Sequence, residues 1–289
     1  MYADRLASLY DRKKIPFVLR QNVLWRVYQR MVEPHGPVAT DDSITATEAK
    51  ALLQQLGGHL IRWTGKPMLN TTASEQDWYA VLSHEFNSLD QLKSKRRYEL
   101  KQALKNCQVE RVEASYIAKN GYSVYTKAHQ QYRNNQQLGL SESQFSTQTL
   151  IEQDFPDLIQ YFGVFCDQQL VGYSKCYSYD DVEANDAVSK FDPAFLGRGI
   201  AKALAYHKTK YYLEDHQVGY FSAGYRAIEH QTQVHEFYCN KFHFQKIPVP
   251  LFVHYPTTTK LALPFLRTLQ NFNSKIKAIC TLDQLATSI

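Results

Sequence analysis

Gly197 and Gly199 bracket Arg198 inside the stretch Phe191-Asp-Pro-Ala-Phe-Leu-Gly-Arg-Gly-Ile-Ala201, which runs on into Lys202-Ala-Leu-Ala205. Two glycines this close allow a tight turn and a close approach of backbone to ligand. Pro193 donates no amide to a sheet ladder and suits a strand end. If a helix follows, its first turn offers unpaired N–H groups and the positive end of the macrodipole. That is a place for a phosphate or pyrophosphate, with Arg198 as an added charged donor. The residues that would form this cradle are Leu196, Gly197, Arg198, Gly199, Ile200 and Ala201. A second group able to do chemistry is Glu183, Asp186, Glu229 and His230, three carboxyls and an imidazole on either side of that turn. Each could serve as a general base, and histidine is the usual choice near neutral pH. A third group is Lys93, Arg97, Lys101 and Lys105, four cations at intervals of four. On a helix they stack into one stripe, either a solvated face or a run of phosphate contacts.

These residues need elements to hold them. Phe191–Ala201 reads as strand end, turn and helix, the helix running from about Gly199 to Glu214. Ala201, Leu204, Ala205 and Lys208 share one of its faces, and three of the four are apolar. Tyr220–Tyr225 reads as the next strand. Upstream, Tyr161–Cys166, a turn at Asp167-Gln-Gln169, and Leu170–Ser174 read as a hairpin. The basic stripe lies on a helix expected over roughly Leu89–Lys105. Thr45 or Thr47, with Glu48, marks the start of a helix that Gly57-Gly58 stops. His59–Trp63, Trp78–Leu82 and Val109–Val112 read as strands, and Ser115 starts a helix to Tyr132. In residues 1–40 only Ile15–Leu19 and Val23–Tyr28 look strand-like, and Pro34 is expected to end the segment after Arg30. Ser141-Glu-Ser-Gln144 is a helix start. Val249–Tyr255 is a last strand, Thr257 or Thr258 caps a helix to Leu269, and residues 271–289 read as a closing tail. The polar stretch Arg133–Gly139 is a break, so we divide the chain into residues 1–139 and 140–289.

Length and composition bound the rest. The 289 residues, 44% hydrophobic and 13% aromatic, allow one large or two modest domains with a real core. The net charge of +5 suits an anionic ligand without demanding one. The five cysteines are odd in number, widely spaced and free of CxxC, which suits a reducing cytosol and argues against a disulfide framework. Cys239, among Phe237 and Phe242, reads as a buried thiol rather than a nucleophile. The histidines show no ligand spacing, so no metal site is expected. No apolar run approaches the length of a membrane span, and Met1 leads into charged residues rather than a secretory signal. A cytoplasmic protein without a membrane partner is the expectation.

The stretch Tyr161–Lys246 resembles the GNAT acyltransferase superfamily. Its phosphate signature, Gln/Arg-x-x-Gly-x-Gly/Ala, is similar to Leu196–Ala201, with Leu196 in place of the leading Gln/Arg. Val171-Gly-Tyr173 sits where the family has its central hairpin. Phe237-Tyr-Cys-Asn-Lys-Phe-His-Phe244 is similar to the closing Phe-Tyr-x-Lys-x-Gly-Phe, with one extra residue and His243 in place of Gly. Gln231 takes the place of the family's Asn. Leu92-Lys-Ser-Lys-Arg-Arg97 resembles the basic helix of FemAB-like transferases, which carry two GNAT-like halves in tandem. The resemblance implies an α+β protein whose C-terminal half is a mixed sheet flanked by helices. The N-terminal half is then either a degenerate unit of the same kind or an α+β cap. It implies acetyl-CoA or another acyl-CoA as donor, bound at Leu196–Ala201 and Gln231 with its pantetheine beside the strand ending near Lys190–Asp192. A small-molecule amine would be the acceptor, attacking directly in a ternary complex. Tyr238 would be the acid for the leaving thiolate, and Glu183, Asp186, Glu229 or His230 the base. Two alternatives stand beside this: aminoacyl transfer from a charged tRNA held by Lys93, Arg97, Lys101 and Lys105, and a binding module without turnover.

Overall fold

A computed structural model describes residues 1–38, 41–130, 139–228, 233–269 and 273–287. Glu229, His230, Gln231 and most of the break expected at 133–139 lie outside the described residues.

The N-terminal half opens with helix α1 (Tyr2–Lys13), where the sequence reading placed no element. Leu6, Leu9 and Tyr10 are its buried face, and Lys14, at φ 55, ends it. Three strands follow, β1 (Phe17–Arg20), β2 (Val23–Tyr28) and β3 (Met31–His35). Pro34 does not end β3 but sits within it, facing Trp25 of β2. Helix α2 (Ala46–Leu56) starts on a capping box in which Thr45 and Glu48 satisfy each other's backbone amides. Then come β4 (Leu60–Thr64), β5 (Tyr79–Ser83) and the basic helix α3 (Ser94–Asn106). Helix α3 starts five residues later than expected, since Leu89–Gln91 is a separate 3-10 turn. Strand β6 (Gln108–Val112) and helices α4 (Ala114–Asn120) and α5 (Tyr122–Gln130) follow. The single helix expected there is broken at Gly121, where a Cβ would come within 2.7 Å of the Ile117 carbonyl oxygen.

The second half begins with α6 (Glu142–Ile151), started by a Ser141–Gln144 capping box. The strands β7 (Ile159–Cys166), β8 (Gln169–Tyr179) and β9 (Glu183–Phe191) form a meander. A 3-10 turn over Pro193–Arg198 leads into α7 (Ile200–Lys210), which ends in a π turn at Tyr211–Asp215. β10 (Tyr220–Tyr225), α8 (Val234–Phe242), β11 (Gln245–Pro248) and β12 (Leu251–His254) come next. Helix α9 (Thr257–Leu269) is followed not by a loose tail but by α10 (Ser274–Leu285), which Asn273 caps.

The strands form two mixed sheets, one ordered β1-β2-β3-β4-β12 and the other β11-β5-β10-β9-β8-β7-β6. This is the α+β, helix-flanked, mixed-sheet architecture expected from the sequence. Each sheet draws strands from both sides of Gly139: β5 and β6 lie in the larger sheet, and β12 closes the smaller one. Helices α3, α7 and α8 share a core with one face of the larger sheet. Helices α1, α4, α5 and α6 cover the other face of its β7 and β8 end. Residues of the smaller sheet and of α10 pack with β5 and β11 of the larger one in a third core. No helix among the described residues is long and apolar enough to cross a membrane.

Two features of the larger sheet place the site. β9 and β10 run parallel but pair only from Glu183–Asn185 to Tyr220–Ser222. Beyond them β10 turns toward β5, through Gly224 at φ 86, and the sheet splits. β9 also carries a bulge: its register with β8 slips so that Ala187 has no partner.

Candidate functional site at the strand split

Asp186 is the first residue of β9 beyond the paired segment, and it is the hub of a buried polar network. Lys208 of α7 lies 2.7 Å from its Oδ1. The Tyr238 hydroxyl of α8 donates to Oδ2 at 2.7 Å, and the Ser174 and Ser189 hydroxyls donate to Oδ1 at 2.9 and 3.0 Å. Lys208 and Tyr238 are 1% and 2% exposed, while Ser189 and Asp186 lie on the more open side of the network. Burial by itself would raise the Asp186 pKa. The Lys208 ammonium and the hydrogen bonds from Lys208, Tyr238 and Ser174 outweigh it and hold the carboxyl below the ordinary aspartate value. The Tyr238 phenol is pushed well above its usual value, first by burial and then by the Asp186 charge. Lys208 is the charged member that sequence reasoning missed, together with Ser174 and Ser189. The signal was there: it is the one cation on the otherwise apolar face of α7, and burial of a lysine requires a partner.

On the other side of β9 a cavity of about 430 Å³ opens between the two sheets, with Asn185, Ala187 and Val188 of β9 and Gly224 of β10 on its wall. The odd residues of β8 reach it from the same sheet face: Lys175, Tyr177 and Tyr179. The remaining wall comes from the smaller sheet. Glu33 accepts from Arg26 at 3.2 Å and from Arg62 Nε at 3.0 Å. The Arg62 guanidinium lies 5.4 Å from the centre of the Trp78 ring. His35 is buried beside Tyr10 and Tyr177. Burial first, then the nearby Arg26, Lys175 and Lys13 charges, push its pKa well below the ordinary histidine value, so it is neutral. Lys175 is paired with Glu152, which also holds Lys13 and the Tyr161 hydroxyl. Burial would lower the Lys175 pKa, but the Glu152 charge reverses the sign and raises it well above that of a free lysine. None of these cavity residues was singled out in the sequence, because they come from strands up to two hundred positions apart.

The glycine turn is formed as expected and is differently surrounded. Gly199 is left-handed at φ 82, and a Cβ there would lie 2.7 Å from the Ala103 Cβ of α3. Gly197 faces open space, and Leu196 is exposed. Both cations of the turn are already on carboxylates. Arg198 lies 2.8 Å from Asp167, and Lys202 lies 2.9 Å from Glu99 of α3, which also holds Lys241 at 3.0 Å. Hydrogen bonds from Lys202 and Lys241 bring the Glu99 pKa down to about 2. A pyrophosphate bound through Lys202 would compete with this carboxylate.

Glu183 is fully buried at the opposite end of β9, and its charge is felt by Tyr179. Eight residues separate it from Phe191, about 26 Å along a strand, so it is not brought to the glycine turn. Lys93, the N-cap of α3, and Lys101 and Lys105 within α3 are exposed. Arg97 instead folds back onto the carbonyls of Asp90 and Leu92 at 2.8 and 3.1 Å. Cys239 is half-buried, with burial pushing its thiol up to about 11. His243, which stands where the resembled segment has Gly, is left-handed at φ 60 and ends α8.

Neither a protein-family model nor a curated protein matches the chain. Solved structures do. The C-terminal domain of a protein described as a lysylphosphatidylglycerol synthetase from Agrobacterium fabrum is similar over 92% of both chains, with a TM-score of 0.53 and 14% identity. FemX is similar over 83% of this chain and 85% of its own, with a TM-score of 0.52 and 10% identity. A protein of unknown function from Bacteroides thetaiotaomicron is similar over 86% and 89%, with a TM-score of 0.50 and 9% identity. At these identities the shared property is the fold, which spans both sheets.

Proposed function

We propose that the protein is a transferase that moves an aminoacyl group from its tRNA ester to an amine at the β9–β10 split. The observation that carries this is the split itself. It leaves one edge of β9 unpaired with β10 from Asp186 onward, with a proton-bearing network on one side and a ligand-sized cavity on the other. The amine nitrogen attacks the ester carbonyl carbon, a C–N bond forms, and the carbonyl oxygen becomes an oxyanion. Unpaired N–H groups on the β9 edge suit that oxyanion. Collapse breaks the C–O bond, and the proton lost by nitrogen ends on the departing ribose oxygen. Tyr238, held by Asp186 at the split, is the proposed acid. The proposed base is Glu229 or His230, just beyond β10, in preference to Glu183 at the far end of β9.

Three features favour an aminoacyl donor. The cations of the glycine turn are neutralised by Asp167 and Glu99. The basic helix α3 and its N-cap present Lys93, Lys101 and Lys105 to solvent, where they suit a phosphate backbone. The fold is shared with FemX and with a domain of a synthetase named for joining lysine to phosphatidylglycerol. The second reading keeps the chemistry but takes acyl-CoA as donor. In its favour are the open space around Gly197 and the left-handed Gly199 at the start of α7.

The test is a transfer assay with bulk aminoacyl-tRNA carrying labelled amino acids, run beside labelled acetyl-CoA, with thermal melting in both donors. A donor at 100 times its dissociation constant raises stability by about 2.7 kcal/mol. Label passing from tRNA into an amide, with a melting shift that fades as salt rises, is the expected result. Transfer from acetyl-CoA alone would move the assignment to the second reading. No transfer and no shift with either would leave a binding module.

A further inference from the structure

The polar groups on the cavity wall are mostly donors. Arg26 Nε and Trp78 Nε1 are buried and have no partner, and Trp78 is 3% exposed. A third donor follows from hydrogen-bond logic. Arg26 Nη1 donates to the Tyr10 hydroxyl oxygen at 2.8 Å, which leaves that hydroxyl's own hydrogen for His35 Nδ1, also 2.8 Å away. His35 is neutral, so its hydrogen sits on Nε2. Burying unpartnered N–H groups costs free energy. A cavity that keeps them is built for an acceptor-rich ligand.

The cavity wall carries charge. Arg26, Arg62 and Lys175 line it, with Glu33 and Glu152 as their partners. Tyr225, beside Gly224 on β10, lies in the field of Asp42, Glu183 and Arg62, and its ring stacks on Trp78 at 5.9 Å. The unpartnered Arg26 and Trp78 N–H groups suit an oxyanion. Trp63 and Tyr177 also line the cavity.

We infer that this cavity binds the amine acceptor, and that the acceptor is a free amino acid. Its carboxylate lies on the Arg26 and Trp78 donors, and its amine lies at the β10 wall, next to the split. This rests on the transferase reading for the amine, while the carboxylate rests on the cavity donors. The test is thermal melting and tryptophan fluorescence with the proteinogenic L-amino acids one by one, their carboxamides, and inorganic phosphate. The expected result is stabilisation by one or a few amino acids and none by the matching carboxamide. Trp78→Phe keeps an aromatic ring and removes the donor, and should weaken the amino acid about tenfold. Arg26→Lys, which keeps the charge and loses Nε, should do the same. Equal stabilisation by acid and carboxamide, stabilisation by phosphate alone, or no effect of Trp78→Phe in a folded variant overturns the inference. Carboxylate-dependent binding without amide formation from either donor upholds the ligand class and overturns the transfer reading instead.

Discussion

Tyr238 and Lys208 reach Asp186 from two different helices, and at the scale of single residues this contact organises the site. Tyr238→Phe removes one donor from a buried carboxylate, and a loss of about 1–3 kcal/mol is expected in urea unfolding. If Tyr238 is the acid, kcat falls with little change in KM. A stability loss with unchanged kcat would leave it a structural residue. Lys208→Met strands the Asp186 charge and should cost about 3–5 kcal/mol. Adding Asp186→Asn should restore much of that, because the uncompensated charge is gone. His243 gives the opposite sign. At φ 60 it holds a left-handed position where glycine pays no steric cost. His243→Gly should therefore stabilise by about 1 kcal/mol, read as a higher melting temperature. Tyr238 was legible in the sequence because it sits in a recognisable segment. Arg26, Glu33, Arg62 and Trp78 were not, since each looks like an ordinary strand residue until β2, β3, β4 and β5 are assembled.

Between elements, the packing of α3 on α7 is the feature that most changes what the glycine turn can do. Gly199 is required twice, by its left-handed backbone and by Ala103 against it. Gly199→Ala should cost about 1–2 kcal/mol from the backbone alone and more from the contact. Ala103→Gly on top should recover the contact part only. If the double variant were no more stable than the single one, Ala103 would not be the constraint. The turn itself could be read from Gly-Arg-Gly before a helical run. Its closure by α3 could not, because Glu99 and Ala103 lie about a hundred positions earlier. Element ends were read well where a local bond sets them, as at Thr45–Glu48 and Ser141–Gln144. They were misread where packing sets them: α1 is amphipathic but has no side-chain cap, and α10 follows a stretch that reads as a tail.

Across the whole molecule, burial depresses the pKa values of His35, His129, His207, His235 and His254. In the unfolded chain they titrate near 6.5. Between that value and their lower folded values the unfolded state binds more protons, so stability rises with pH. The melting temperature should fall as pH drops from about 7.5 to about 5.5. His35→Asn, which keeps an acceptor near Tyr10, should flatten the slope. A pH-independent melting temperature over that range would contradict the burial of these rings.

Periodicity and local bonding are properties of neighbouring residues, and they were enough to determine the β7–β8 hairpin, the capped helices and the turn before α7, while the resemblance of Tyr161–Lys246 implied the α+β class. The split of β9 from β10, the burial of Lys208 and the cavity between the sheets depend on strands far apart in the chain: β5 and β6 join the C-terminal strands, and β12 returns to the N-terminal ones. Which donors are left unpaired, and which cations are already neutralised, depends on which side chains those long-range pairings bring within hydrogen-bonding reach. That was decided by the tertiary structure alone.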